Sequence, residues 1–313
     1  MTSYILRRLG VGLILALLVT YITFALLSTS FEDVAQTILG PAVTTDGTAA
    51  VMAERGWDRP VIIQYFDWLL NALQGDFGVS VYSSLPVGPS VVQRLGVTLS
   101  IIVPALILTA VISTILGVWS ASRGGAVDRI AQGLSLIGYI VPGLLLAIGL
   151  VLIFAVQLKW LPATGFTPLS QDPLAWLRSI TIPVIVLTIG GVANMTAQVR
   201  GRMIDELRRD YVRTIRTRGV STSSIVLRHA LRNAGGPALT VMSLEFIQMF
   251  GGALIIENVF ALPGYGSFAF NASLQGDIPV ILGITAFGVL LVTVINLATD
   301  LANGWLNPKA RVQ

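Results

Sequence analysis

The sequence contains no cysteine and a single histidine, His229, among 313 residues. Disulfides, thiolate metal sites and thiol nucleophiles are thereby excluded, and no multi-histidine metal centre can be built from this chain. Charge is scarce, at 12% of residues against a hydrophobic fraction of 54%, and the mean hydropathy is +0.79. A soluble domain of this length would need far more polar surface, so the composition is that of a membrane protein. Heptads, low-complexity tracts and internal repeats are missing as well. No G-x-x-x-x-G-K-[ST] stretch is present, which leaves the chain without an ATP-binding loop of its own. A net charge of +4 and a pI near 9.7 are compatible with nucleic-acid binding, but the basic residues follow a membrane topology instead.

Six apolar stretches are long enough to cross a bilayer as helices: Leu9–Leu27, Val97–Ser120, Ala131–Leu158, Ile180–Val199, Ala238–Glu257 and Val280–Leu301. The fold class expected is therefore an all-α membrane protein with six transmembrane helices. The Arg7-Arg8 pair precedes the first stretch as it would a signal peptide. That stretch is too long for a typical signal core, however, and no A-x-A-like site follows it closely, so it reads as an uncleaved first span. With a cytoplasmic N-terminus, the inner face receives Arg7, Arg8, Arg123, Arg129, nine arginines between Arg200 and Arg232, Lys309 and Arg311. The outer face keeps only Arg55, Arg59, Arg94, Lys159 and Arg178. This bias predicts both termini in the cytoplasm.

The segment Ser30–Gly96 then lies outside as a small folded element. Within it, Arg59–Leu70 places apolar residues at helical spacing, with Pro60 suited to a first turn, and reads as an amphipathic helix over the outer ends of the spans. On the inner side, Arg202–Arg218 is expected to form one helix carrying Met203, Ile204, Leu207, Tyr211 and Ile215 on a stripe. Gly219 stands where a helix ends. Ser221 to Ser224 offer caps for a second helix over Ile225–Asn233, and Pro237 opens the next span. Helix, glycine break and helix make a rigid bent element suited to docking in a partner's cleft. An ordinary lipid-attracted basic loop explains the arginines but neither the break nor the stripe.

Asp210-Tyr211-Val212-Arg213-Thr214-Ile215-Arg216-Thr217-Arg218-Gly219, followed by Leu227-Arg228-His229-Ala230-Leu231-Arg232-Asn233-Ala234, resembles the coupling loop of ABC importer permeases. More narrowly it is similar to the B-type subunit of the dipeptide/oligopeptide/nickel branch. Glu257-Asn258-Val259-Phe260-Ala261-Leu262-Pro263-Gly264-Tyr265-Gly266 resembles that branch's signature after the fifth core span. Arg59-Pro60, Gln64-Tyr65, Gly75-Asp76-Phe77-Gly78 and Arg94-Leu95 fit its N-terminal part, and Asn307-Pro308-Lys309 its tail. The branch's usual L-P-G-D-P after the first span is replaced by Leu27-Ser28-Thr29-Ser30-Phe31.

The resemblance implies a type I importer permease fold divided into 1–93 (first span and external segment), 94–304 (permease core) and 305–313 (cytoplasmic tail). It implies half of a translocation pathway for peptides, in a bacterial or archaeal plasma membrane. The partners implied are a homologous second permease subunit, two ATPase subunits and an external substrate-binding protein. ATP and Mg would be bound by the ATPases and no cofactor by this chain, which is not itself an enzyme. Contact with the ATPases falls by resemblance on Asp210, Tyr211, Arg213, Thr214, Arg216 and Gly219.

Inside the spans, Glu245 and Gln248 share a helix face three residues apart and, with Asn194, are candidate pathway-lining residues. Two alternatives stay open for them: Glu245 pairs with another span or subunit, and Asn194 acts as interhelical glue. Glu257 reads as structural, its carboxylate holding a turn formed with Pro263, Gly264 and Gly266. No second acid, nucleophile or metal set accompanies these carboxylates, which argues against catalysis and a metal site. Import of nickel or another small solute is the nearest functional alternative. A more distant one is an ion-coupled secondary transporter, against which the basic inner loop with its glycine break argues.

Overall fold

The computed structural model describes residues 2–40 and 44–306, excluding the side chains of 2–5, 134, 137, 235–237 and 303–306. Lys309, Arg311 and the Asn307-Pro308 motif lie outside the described residues. The described residues are helical throughout apart from connecting segments, with one isolated antiparallel bridge between Val79 and Pro86. Among the described residues, five helices are long and apolar enough to span a membrane, or six if a sharply bent pair counts as one. By contact the chain divides into two compact units, residues 1–96 with 263–297, and residues 97–262 with 298–313.

In the first unit, α1 (Thr2–Ser28) carries the first apolar stretch. The external element follows as α2 (Phe31–Leu39), α3 (Thr45–Glu54) and α4 (Val61–Leu73). Pro60 stands just before α4 in an extended conformation (φ −53°, ψ 133°) rather than in its first turn. The core of this unit is aromatic. Phe24, Phe31, Val34 and Tyr65 pack with Ile278 and Leu282, and Phe31 stacks on Trp57 at 4.9 Å between ring centroids. A polar tie closes the element at its other end. Asp277 accepts from Ser80 Oγ at 2.5 Å and from the Val81 amide at 3.2 Å. Tyr82 donates to the Gln275 carbonyl at 2.5 Å. Burial and, secondarily, the Asp277 carboxylate push the Tyr82 phenol up, which keeps it a donor.

The second unit holds most of α5 (Val87–Arg123), then α6 (Gly125–Ile140) and α7 (Gly143–Leu150), which continues as a π-helical stretch Val151–Gln157. The third apolar stretch, expected as one span, is thus sharply bent between Ile140 and Gly143. Pro142 explains the break: it adopts φ −58°, ψ 129°, and its ring and missing N–H do not fit a helix interior. Next comes α8 (Pro173–Leu207), capped by Asp172, whose Oδ1 accepts from the Leu174 and Ala175 amides at 2.8 and 3.0 Å. After α9 (Asp210–Thr217) and the short turn α10 (Thr222–Ser224), a π-helical turn Ile225–Ala230 runs directly into α11 (Leu231–Val259).

α8 packs against α6, α7 and α11. Gly191 of α8 permits a close approach: a Cβ there would lie 2.7 Å from Met249 Cε and 2.9 Å from Thr109. α12 (Tyr265–Gln275) and α13 (Ile278–Leu306) complete the chain.

Two expectations for the inner segment are corrected here. Arg202–Arg218 is two helices, because Arg209 turns to an extended conformation (φ −69°, ψ 149°) and starts α9 afresh. The helix expected over Ile225–Asn233 does not stop before Pro237; it is the first part of one continuous rod with α11.

Candidate functional site

The short helix α9 is held on one side and bare on the other. Val212 is buried and Tyr211 half-buried, while Asp210, Arg213, Thr214, Arg216 and Gly219 are exposed. Tyr211 is the strut. Its hydroxyl donates to Glu206 Oε2 at 3.0 Å and accepts from Asn233 Nδ2 at 3.2 Å, so α9 is pinned to the end of α8 and the start of α11 together. Burial pushes the Tyr211 phenol up, so it remains neutral and able to make both bonds. Glu206 also pairs with Arg209 at 3.0 Å. Beneath α9, the π turn seats Val226 and Ala230 in a cluster with Met195, Val199 and Met203 of α8. The free end stops at Gly219, whose φ of +76° is the left-handed conformation that side chains disfavour.

The polar residues expected inside the spans come together on the opposed faces of α8 and α11. Asn194 Nδ2 donates to Glu245 Oε2 at 2.9 Å, across 51 residues of sequence, and Gln198 donates to Asn194 Oδ1 at 3.5 Å. Asn194, Glu245 and Gln248 line one cavity of about 470 Å³. Asn194 and Tyr139 also line a second, of about 490 Å³, whose polar wall includes Ser120, Gln132, Gln198 and Arg200. Asn194 therefore joins two helices and two cavities.

Beside the second cavity is a cluster that sequence reasoning missed. Asp128 on α6 accepts from Arg200 Nε at 2.5 Å and Nη2 at 2.6 Å, from Gln132 Nε2 at 2.9 Å and from the Ser120 hydroxyl of α5. The available signal was its isolation: Asp128 is the lone acid between the second and third apolar stretches, flanked by Arg123 and Arg129.

Of the residues assigned to a turn, Glu257 is fully buried and accepts from Thr98 Oγ1 of α5 at 2.5 Å, while its carbonyl accepts from the Leu262 amide at 2.8 Å. Gly264 is extended and opens α12, and its carbonyl accepts from the Phe268 amide and from Ser267 Oγ. Among the described residues there is no cluster of three or more potential metal ligands.

Residues 113–312 match the model of the family described as binding-protein-dependent transport system inner membrane component, and residues 1–110 match that of its N-terminal region. The chain belongs to this family. The probable peptide ABC transporter permease protein y4tP of Sinorhizobium fredii is 36% identical over 312 residues, 99% of this chain and 100% of the relative. The oligopeptide transport system permease protein AppB of Bacillus subtilis is 30% identical over 315 residues, 99% of both. Among solved structures, a chain of the MetNI methionine ABC transporter, crystallised in inward-facing conformations, superposes with a TM-score of 0.55 at 17% identity. It covers 69% of this chain and 96% of that one, and it supports the type I permease fold alone. As a permease of a binding-protein-dependent ABC importer, the protein is a multi-pass membrane component of a transport system.

Proposed function

We propose that this permease component forms half of a translocation pathway for peptides, of the dipeptide or oligopeptide class, and receives the work of ATP hydrolysis through Asp210–Gly219. The observation that carries the coupling part is α9 itself. It is a two-turn helix with a bare polar face (Arg213, Thr214, Arg216), pinned through Tyr211 to both adjoining long helices, so that force on it reaches α8 and α11 at once. The peptide class is supported by the names of relatives that align along nearly the whole chain.

In this reading Asn194, Glu245 and Gln248 line the pathway, and Glu257, Pro263, Gly264 and Gly266 shape the turn after α11. The partners are a homologous second permease, two cytoplasmic ATPases that bind ATP and Mg, and an external binding protein. Both termini are cytoplasmic, in a bacterial or archaeal plasma membrane. Residues 1–93, 94–304 and 305–313 serve as first span with external segment, permease core and tail.

The test is Gly219→Val in the assembled transporter. A Cβ at Gly219 meets no atom within 4 Å, so the defect comes from the backbone alone, about 1–2 kcal/mol of left-handed strain. The variant should accumulate in the membrane normally. Its peptide uptake should fall at least tenfold, with ATP hydrolysis no longer responding to the binding protein. Normal coupled uptake would sink the assignment of α9. Uptake of nickel but not of peptides by the parent protein would sink the substrate class.

A further inference from the structure

α4 has three faces rather than two. At 100° per residue, Val61, Tyr65, Trp68, Leu69 and Ala72 form one arc. Tyr65 is buried, and Val61, Trp68 and Leu69 pack against the aromatic cluster on α1, α2 and α13. A second arc carries Gln64, Asp67, Asn71 and Gln74. Gln64 Nε2 there donates to the Arg59 carbonyl at 2.6 Å, and Asp67 pairs with Arg59 at 2.8 Å. The third arc is Ile62, Ile63, Phe66, Leu70 and Leu73, all apolar and between 46% and 73% exposed. A helix lying in water over the ends of the spans has no use for that third face.

The depth of α4 says what covers it. Tyr65 Oη donates to the Leu17 carbonyl at 3.0 Å and shares a hydrogen bond with Thr20 Oγ1 at 2.9 Å. Leu17 is the middle residue of the apolar span Leu6–Ser28. It lies eleven residues before Ser28, about 16 Å along the axis at about 1.5 Å per residue, and half of a hydrocarbon core is about 15 Å. A tyrosine side chain is much shorter than that distance. The axis of α4 therefore runs below the level of Ser28, within the slab that α1 crosses. At that depth the packed arc faces protein; of the two remaining arcs, the polar one with its Arg59–Asp67 pair suits the headgroups and the apolar one suits acyl chains.

We infer that α4 is embedded in the leaflet at the C-terminal end of α1, with Ile62, Ile63, Phe66, Leu70 and Leu73 in contact with lipid acyl chains. Such a helix, buried about 5–10 Å into the boundary between headgroups and chains, binds by its apolar area. The inference rests on α1 crossing the bilayer and is independent of what is transported; the predicted cytoplasmic N-terminus makes the leaflet the outer one.

The absence of native cysteine allows a direct test. Phe66→Cys and Leu70→Cys on the apolar arc, and Asn71→Cys and Gln74→Cys on the polar arc, are each labelled with a nitroxide. They are assembled with partner subunits free of reactive thiols and placed in phospholipid vesicles. Collision with molecular oxygen, which concentrates in hydrocarbon, and with a water-soluble nickel chelate is then measured by electron spin resonance. The expected result is an oxygen-to-nickel collision ratio several-fold higher at 66 and 70 than at 71 and 74. Low collision with both reagents at 66 and 70 would show a protein subunit covering the face and overturn the inference. A high nickel rate there would place the face in water and overturn it equally. Ile63→Cys provides a third apolar position should either substitution disturb folding.

Discussion

Two carboxylates on α11, twelve residues apart, have the same chemistry and almost the same burial, yet their surroundings divide them. Glu257 is 0% exposed and locked to a Thr98 hydroxyl on α5. Its own carbonyl turns the chain at Leu262. Glu245 is 4% exposed, takes one hydrogen bond from Asn194, and forms part of the wall of a cavity with Gln248. Burial at membrane depth is costly for both, so burial does not tell a joint from a cavity wall. What separates them is the partner. A tightly bound hydroxyl on a neighbouring helix, together with a chain reversal, marks a joint. A single amide beside open volume marks a wall.

Breaking the joint should have the largest effect. Glu257→Ala removes the buried hydrogen bond to Thr98, a loss of about 1–3 kcal/mol, with a void added. The amount of folded protein extracted from membranes and its thermal midpoint should both drop sharply, with Glu257→Gln recovering part of the loss. An Ala variant that accumulates and melts like the parent would erase the distinction from the structural side.

Glu245→Gln should do the reverse. It keeps an acceptor for Asn194, leaves abundance and melting unchanged, and lowers substrate uptake several-fold in reconstituted vesicles. A loss of uptake merely in proportion to lost protein would make Glu245 a second joint. The smallest effect should come from Thr98→Val, about 1 kcal/mol of the Glu257 contact. It should be visible as a modest fall in thermal midpoint with uptake per molecule preserved. A fall larger than that of Glu257→Ala would move the weight of the contact from the carboxylate to α5.

The places of the spans were legible because a bilayer imposes about twenty apolar residues on any helix that crosses it. Their full lengths were not, since α5 and α8 run to 37 and 35 residues, well past the apolar stretches. The bare face of α9 and the glycine at its end were legible too, since Gly219 is a local backbone requirement. Interruptions were less so. Arg209 looks like any other helix-forming arginine, and nothing local marks the residue at which α8 gives way to α9. Pro142 was visible, but it lies inside an apolar run whose length argued for a single span. Pairings were legible least of all. Asn194 and Glu245 sit 51 residues apart, and Asp128 and Arg200 lie 72 apart. Helical periodicity says which side of a helix a residue occupies but not which helix it meets.

Asp128 has a mechanical consequence. One carboxylate clamps α5 through Ser120, α6 through Gln132 and α8 through a two-pronged Arg200. In the language of frames, this is a gusset: three beams fixed at a single plate. A load entering at the inner end of α8 is shared at once by α5 and α6, with no play between them. The discontinuity at Val141 and Pro142, at the far end of α6, is the point where the same frame can bend. Stiffness and give lie along one helix, separated by the length of α6.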